Sequence, residues 1–370
     1  MESTPHLIVL GLVFAIAALV GAVANKTNFC TMGAVSDWVN MGHTGRMRSW
    51  LLAIAVAMVG VAALDASGIR IGSDTFPPYR TASFAWLRHV IGGLLFGVGM
   101  TLASGCGNKT LVRLGGGNLK SLVVLAVASI GSYMMLWTGF YATAFESWMA
   151  PMTIDLASRG HASQALGDLF AGREGGGAAN AAIGAAAGVT IAAFTLSSRE
   201  FRSDFDNVLG GLVVGSAVVA GWAITAGPLG EAWKEYAAMT ATPPSRVSTQ
   251  SFTFISPMGD LLRYLATPTH LEHVNFGIVA LVGVIAGSFA FALATRSWRI
   301  EWFRTTGDAL SHVSGGALMG IGGVLAMGCT IGQAVTGVST LAAGSLLTLA
   351  CIVAGSAATM QVLSWRAMRA

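Results

Sequence analysis

The sequence predicts an all-α polytopic membrane protein with about nine transmembrane helices, additional re-entrant or short helices, and two inverted-repeat halves. Three observations lead to this fold class. The chain is 54% hydrophobic and only 10% charged, against roughly 25% charged residues in ordinary soluble domains. Its apolar runs are long enough to cross a bilayer, and one of them occurs twice. A soluble enzyme is therefore not expected, and the basic pI is not interpreted as nucleic-acid binding, because excess Lys and Arg mark inner loops.

Nine hydrophobic segments are predicted to span the membrane, since each approaches the roughly 20 residues that a bilayer requires. They cover about residues 7–24, 50–64, 88–105, 121–142, 177–196, 205–226, 275–294, 307–328 and 340–364. The first is expected to stay as a span and not to be removed as a signal peptide. With the N-terminus outside, thirteen of the 21 basic residues lie on inner loops, which predicts an outer N-terminus and an inner C-terminus. The long outer segments are then 65–87, 143–176 and 227–274.

An internal repeat divides the chain. His89–Cys106 and His312–Cys329 share eleven of eighteen residues, and each is an apolar helix that ends in Gly-Cys. By the span count the two copies cross the membrane in opposite directions, so the halves are predicted to be inverted, with a site near the midplane where they meet. The predicted divisions are a first membrane half at 1–150, an insertion with a linking helix at 151–204, and a second half at 205–370.

Three of the four cysteines lie at breaks between hydrophobic segments. Cys30, Cys106 and Cys329 stand beside Gly, Asn or Thr, whereas Cys351 lies inside an apolar run and is interpreted as a packing residue. Alignment of the halves pairs Cys30 with Gly230. Because no cysteine belongs to a C-x-x-C pair or has histidines at zinc spacing, the sequence predicts no metal, no cofactor and no catalytic residue.

The residues at these breaks suit a sulfur-containing anion. Gly beside Cys lets the chain leave helical geometry and frees backbone N–H groups, and a half-helix that begins there favours an anion at its N-terminus. A thiol adds a weak donor and a soft, polarizable sulfur. The candidate substrate-pathway residues are Asn28, Cys30, Gly105, Cys106, Gly107, Asn108, Lys109, Gly328, Cys329, Thr330 and Gln333.

Other repeated residues have plainer interpretations. The pairs Gly93/Gly97 and Gly316/Gly320 are typical of close helix packing. His89 and His312 begin the repeated helices and are expected to serve at a cap or an interface.

Three motifs resemble those of the YeeE/YedE family of bacterial inner-membrane sulfur transporters: Asn28–Gly33, Gly105–Asn108 with Gly115–Gly117, and Gly328–Gln333 with Thr336–Gly337. The resemblance implies an hourglass-like pore formed by two inverted halves whose re-entrant helices meet centrally. It implies uptake of thiosulfate across the inner (plasma) membrane, with the three thiols passing the anion along by S–H hydrogen bonds. A cytoplasmic sulfurtransferase of the TusA type is the expected class of partner, beside the anion and the membrane lipid.

Other functions stay open at this point. Some relatives are assigned to selenium metabolism, so a transporter of a selenium species or of another small sulfur compound is the main alternative. A membrane enzyme with covalent persulfide chemistry and a structural scaffold are the other two classes considered. The sequence leaves the coupling ion, the oligomeric state and the role of segments 143–176 and 227–274 undecided.

Overall fold

A computed structural model describes residues 4–369, apart from the side chains of residues 173 and 174. Its helices are α1 Thr4–Lys26, α2 Thr31–Ser36, α3 Gly45–Ala66, α4 Trp86–Leu102, α5 Gly107–Gly115, α6 Leu119–Trp137, α7 Ser147–Met149, α8 Leu166–Ser197, α9 Arg199–Ser203, α10 Phe205–Ala226, α11 Pro228–Met239, α12 Ile255–Ala266, α13 Phe276–Ala294, α14 Thr306–Leu325 and α15 Ala343–Ala367. π-Helical turns cover Asp37–Met41, Ala142–Glu146 and Thr330–Gly337, and 3₁₀ turns cover Ala150–Met152, Ala157–Arg159 and Leu271–His273. The strands β1 Ser83–Phe84 and β2 Ile154–Asp155 pair antiparallel.

The nine predicted spans are confirmed. Within residues 4–369, nine helices are long and apolar enough to cross a membrane, and each overlaps one predicted segment. In α8 the chain leaves helical geometry at Gly172, so the spanning part is Gly175–Ser197. Large apolar side chains such as Leu7 and Phe289 are exposed on these helices, as a surface in contact with lipid requires. The all-α polytopic fold class therefore holds.

The two copies of the repeat pack directly against each other. On α4, Gly92 lies against Gly322 of α14, whereas Gly99 lies against Gly315. As residue numbers increase along α4, the residues contacted on α14 decrease in number, so α4 and α14 are antiparallel. A Cβ added to Gly99 would lie 2.7 Å from the Gly315 carbonyl oxygen. Only glycine permits two backbones to approach this closely, which explains the glycine content of both copies.

Other helix pairs also join a helix of one half to a helix of the other half. Gly93 and Gly97 of α4 lie against α15, and Gly316 and Gly320 of α14 lie against α6, so the predicted glycine packing is confirmed. Likewise α1 packs on α13 while α10 packs on α3. These matched contacts are those expected of an inverted repeat. The residue boundaries of the halves and the hourglass outline stay predictions.

Each half also contains a short helix that begins in the interior of the bundle. α2 packs on α3 and α15, and α12 packs on α13 and α6, so α12 takes the place of α2 in the second half. The predicted pairing of Cys30 with Gly230 is therefore wrong: Gly230 lies in α11 and packs against Thr225 of the preceding turn. The physical reason is an extra helix and loop, residues 228–254, that separate α10 from the short helix of the second half.

The three long segments predicted to lie outside meet at one end of the bundle. β1 and β2 join the first segment to the second, and a bridge between Thr75 and Thr249 joins the first to the third. Lys234 forms a 2.8 Å ion pair with Asp74 across the same contact. Residues 249–260, however, are buried almost throughout. This part of the third segment therefore belongs to the interior of the bundle.

The antiparallel glycine contact gives a stability prediction. Gly99→Ala places a methyl group against the α14 backbone, and overpacking of this kind costs about 1–3 kcal/mol. Gly11→Ala is the matched control, because a Cβ at Gly11 meets no atom within 4 Å. Thermal unfolding of the detergent-purified protein should show a lower midpoint for Gly99→Ala only. Equal midpoints would mean that the two helices separate readily at this contact.

Candidate functional site

Each cysteine of the three motifs is the N-cap of a helical segment. Cys30 precedes α2, Cys106 precedes α5, and Cys329 precedes the π-helical segment Thr330–Gly337, all with extended backbone angles. The Cys30 sulfur accepts a hydrogen bond of 3.4 Å from the N–H group three residues later, and the Cys329 sulfur does the same. Ser, Thr, Asp and Asn usually fill this position. Here a softer atom satisfies the freed N–H group.

The two repeated helices end in the same way before their cysteines. Ser104 and Met327 occupy matched positions and both have positive φ, 56° and 60°. Gly105 and Gly328 then donate to carbonyl groups five residues earlier, at 2.9 and 2.7 Å. This is the Schellman geometry that ends a helix and reverses its direction. The Gly-Cys pairs therefore mark true helix ends in the interior.

The breaks bring the three thiols into one buried region. The side chains of Cys30 and Cys106 are in contact, and Thr330 adjoins Cys106 on its other side. A Cβ on Gly107 would lie 3.9 Å from that of Cys329, so the start of α5 adjoins the third cysteine. Cys106 and Cys329 have no solvent exposure, and Cys30 is 4% exposed. The thiols are thus sealed from bulk solvent in this structure.

Backbone N–H groups of several helix starts face these sulfur atoms. Those of Thr31 and Lys109 lie against the Cys106 sulfur, and that of Phe254 lies against Cys329. Four short segments, α2, α5, α12 and the π-helical segment, therefore direct their N-terminal ends to one place. The partial positive charge of helix N-termini favours an anion there.

Several buried side chains in these segments have unused hydrogen-bonding capacity. Thr31 Oγ1, Gln333 Oε1 and both amide atoms of Asn108 are buried without a partner among the described residues. The Gln333 amide nitrogen donates to the Ala326 carbonyl at 2.6 Å. Buried polar atoms are normally paired, so this concentration of unpaired atoms is what a site for a polar ligand requires.

On one side the site is covered by residues 249–254, here named the outer segment. The Phe252 carbonyl accepts from Thr336 at 2.7 Å, and Thr253 lies against Gly332. Tyr79, which precedes α4, donates to the Gly332 carbonyl at 2.6 Å. Burial raises the pKa of the Tyr79 hydroxyl well above its usual value, so the hydroxyl keeps its proton and remains a donor.

On the opposite side, two cations close the site. Lys109 Nζ donates to the Asn28 side-chain oxygen at 2.9 Å, and Arg113 donates to the Ser104 carbonyl at 2.6 Å. Asn28 has a φ of 52°, an uncommon conformation outside glycine. A cavity of about 490 Å³ lies beyond this pair and is lined by all four residues. Lys109 and Asn28, both predicted to line the pathway, are therefore in contact beside this cavity.

The structure brings the eleven candidate residues together, with Gly105 beside Lys109 and Gly328 beside Gln333. Their roles in a pathway stay predictions. Sequence reasoning missed Thr31, Tyr79, Arg113 and the outer segment. Thr31 lies inside the Asn28–Gly33 motif and Arg113 lies four residues after Lys109, so both could have been included. Nothing in the local sequence marks Tyr79 or the outer segment as neighbours of Cys329, which is 75 or more residues away.

Of the other singled-out residues, His89 and Cys351 lie at helix interfaces, whereas His312 is bonded within α14. His89 Nδ1 is 2.8 Å from the Thr348 hydroxyl of α15, and His312 Nδ1 is 2.8 Å from the Asp308 carbonyl oxygen. Cys351 faces the glycine surface of α4. In the described part of the chain, no group of three His, Cys, Asp or Glu residues is placed to hold a metal ion.

Comparison with known proteins decides the family. The sequence pattern of the family described as sulphur transport matches residues 26–358, a range that contains all three cysteine breaks. The chain belongs to the sulphur transport family. This confirms the resemblance to YeeE/YedE proteins.

Two relatives carry the name thiosulfate transporter TsuA. The protein of Escherichia coli (strain K12) is 25% identical over 342 residues, which cover 85% of this chain and 84% of the relative. The protein of Spirochaeta thermophila (strain ATCC 700085 / DSM 6578 / Z-1203) is 25% identical over 266 residues, which cover 70% and 72%. The alignment with the first relative thus spans most of both chains.

The bond between Tyr79 and Gly332 gives a second stability prediction. Tyr79→Phe removes a hydroxyl that donates to a buried carbonyl, and loss of this hydrogen bond should cost about 0.5–1.5 kcal/mol. Tyr264→Phe is the control, because its hydroxyl has no hydrogen bond to any residue from 4 to 369. Thermal unfolding should separate the two variants. Identical midpoints would show that the outer segment is held mainly by its apolar side chains.

Proposed function

We propose that this protein takes up thiosulfate through a central pathway lined by the thiols of Cys30, Cys106 and Cys329. The observation that supports this most directly is the convergence of three cysteine N-caps with buried, unpaired polar side chains. Membership of the sulphur transport family and the names of the two relatives support the same substrate. Transport, not catalysis, is the proposed activity.

The two ends of thiosulfate call for different partners, and the site offers both. Its sulfonate oxygens are hard acceptors, which suit the N–H groups of Thr31 and Lys109 and the hydroxyl of Thr330. Its terminal sulfur is soft and polarizable, which suits the S–H groups. The proposed site thus tells thiosulfate from sulfate by the terminal atom.

The proposed order of contacts runs from the outer segment to the inner cavity. The anion meets Cys329 beside Phe254, then Cys106, and then Cys30 near the Lys109–Asn28 pair. Reduced thiols donate to the ion and release it unchanged, so no covalent bond forms. Binding has to be weak enough for departure. Because the thiols are buried, the outer segment has to move before an ion enters.

The proposed setting is the bacterial inner membrane, with the N-terminus in the periplasm and the C-terminus in the cytoplasm. The membrane potential then opposes a dianion by about 2.3 kcal/mol per charge per 100 mV. Either a coupled ion or rapid removal of thiosulfate inside has to supply this energy. A cytoplasmic acceptor of the TusA type would supply it by removing thiosulfate as it enters.

Loss of single thiols tests the proposed pathway. Cys106→Ala and Cys329→Ala should reduce uptake of sulfane-labelled thiosulfate to background in cells that lack other sulfate and thiosulfate importers. The Cys351→Ala variant lacks a thiol of α15 that packs against α4, and it should transport thiosulfate normally. Equal uptake by all three variants, at verified membrane abundance, would remove the thiols from the mechanism.

Competing substrates and a covalent route are separated in the same cells. Excess selenite, sulfide or sulfate should compete poorly with labelled thiosulfate; strong competition by one of them would favour the alternative of another sulfur or selenium substrate. In Cys106→Ser a donor remains but the soft sulfur is lost, so partial uptake is expected. A persulfide trapped on native Cys106 would favour a sulfur-transferring enzyme instead.

A further inference from the structure

Two buried or partly buried cations of α5 have no carboxylate partner. Lys109 is 7% exposed and is bonded to the neutral Asn28 oxygen, and Arg113 is bonded to the neutral Ser104 carbonyl. Among residues 4–369, neither cation lies within ion-pair distance of Asp or Glu. An unneutralised positive charge next to a low-dielectric interior is costly. Such charge is usually kept where an anion binds.

The cavity beside these cations has room and charge for a small anion. It measures about 490 Å³, and its lining includes four Lys or Arg side chains and two carboxylates. Neither carboxylate pairs with Lys109 or Arg113: Asp308 pairs with Lys120 at 2.7 Å, and Glu301 accepts from the Asn118 amide. The charge of Lys109 and Arg113 is therefore available to a ligand.

The internal repeat supplies a comparison within the same chain. α5 and the π-helical segment Thr330–Gly337 come after matched Gly-Cys pairs, yet the positions of Lys109 and Arg113 are taken by Gly332 and Thr336 in the second copy. Of the two segments that follow the Gly-Cys pairs, only the first therefore carries cationic side chains. Helix ending needs no such charges, because the second copy ends identically without them.

We propose that Lys109 and Arg113 form a second anion subsite, at the inner end of the pathway, for small sulfur oxyanions. Its location at the inner end rests on the proposed transport function, whereas the anion binding itself does not. This subsite recognises negative oxygens by charge and needs no thiol. It therefore binds sulfate as well as thiosulfate, unlike the proposed thiol site. Lys109 exchanges its bond to Asn28 for one to the anion, which draws the ion past the last thiol.

Inorganic sulfate is the probe that isolates this subsite. Binding is measured with the full-length protein in nanodiscs, as thermal stabilisation against sulfate concentration at constant ionic strength with chloride. The native protein and Cys351→Ala, which lacks a thiol that packs against α4, should give the same half-saturating concentration. Arg113→Gln and Lys109→Gln should each raise it roughly tenfold, equivalent to ~1.4 kcal/mol. The charge-preserving variants Arg113→Lys and Lys109→Arg should stay within a few-fold of native.

The matched control is Arg366→Gln, an exposed arginine at the end of α15 that is not among the residues lining the cavity. It removes one positive charge and should leave sulfate binding unchanged. Equal half-saturation in Arg113→Gln, Lys109→Gln and the native protein would overturn the subsite, as would no stabilisation of the native protein by sulfate. If a glutamine variant fails to fold, Arg113→Lys and Lys109→Arg provide the test, because both keep the positive charge. Loss of sulfate binding in these variants would contradict recognition by charge. Absence of thiosulfate uptake with intact sulfate binding would refute the transport proposal alone.

Discussion

The rest of the structure depends on one constraint: backbone N–H groups freed inside a membrane protein need partners. Helices of the two halves stop in the interior, and short segments restart there with N–H groups that no water reaches. Cysteine side chains cap two of these starts directly and adjoin a third. The same buried N–H groups that need caps also attract an anion. The geometry that satisfies the backbone therefore also suits the proposed binding function.

Glycine makes this geometry attainable. The antiparallel contact of α4 with α14 places backbone against backbone, with Ala103 against Gly315 and Ala326 against Gly92. Beyond each helix end the chain turns back, so that Gly107 lies near Cys329. The copies end through the same turn, with Ser104 matching Met327. They differ in the short segment after each cysteine, since one half carries cations there and the other carries Gly332 and Thr336. A nearly symmetric frame thus carries two short segments of different charge.

Hydropathy and the repeat were sufficient to predict the nine spans, their glycine contacts and the three cysteine breaks, because each depends on local composition or on pairs of similar segments. The pairing of Cys30 with Gly230 failed, because residues 228–254 shift the alignment before α12 begins. The outer segment could not be predicted either. Its place beside Cys329 is set by contacts between distant segments, such as the Thr336–Phe252 bond, that leave no mark in local sequence.

The burial of the thiols has a consequence for their chemical survival. In the proposed orientation the outer mouth faces an oxidising compartment, where accessible cysteines are converted to disulfides. Protein oxidants have to touch a sulfur atom to react, and Cys106 and Cys329 offer them no surface. The covering over the thiols thus also protects their reduced state, and in the proposed mechanism they meet oxidants only while the outer segment is open.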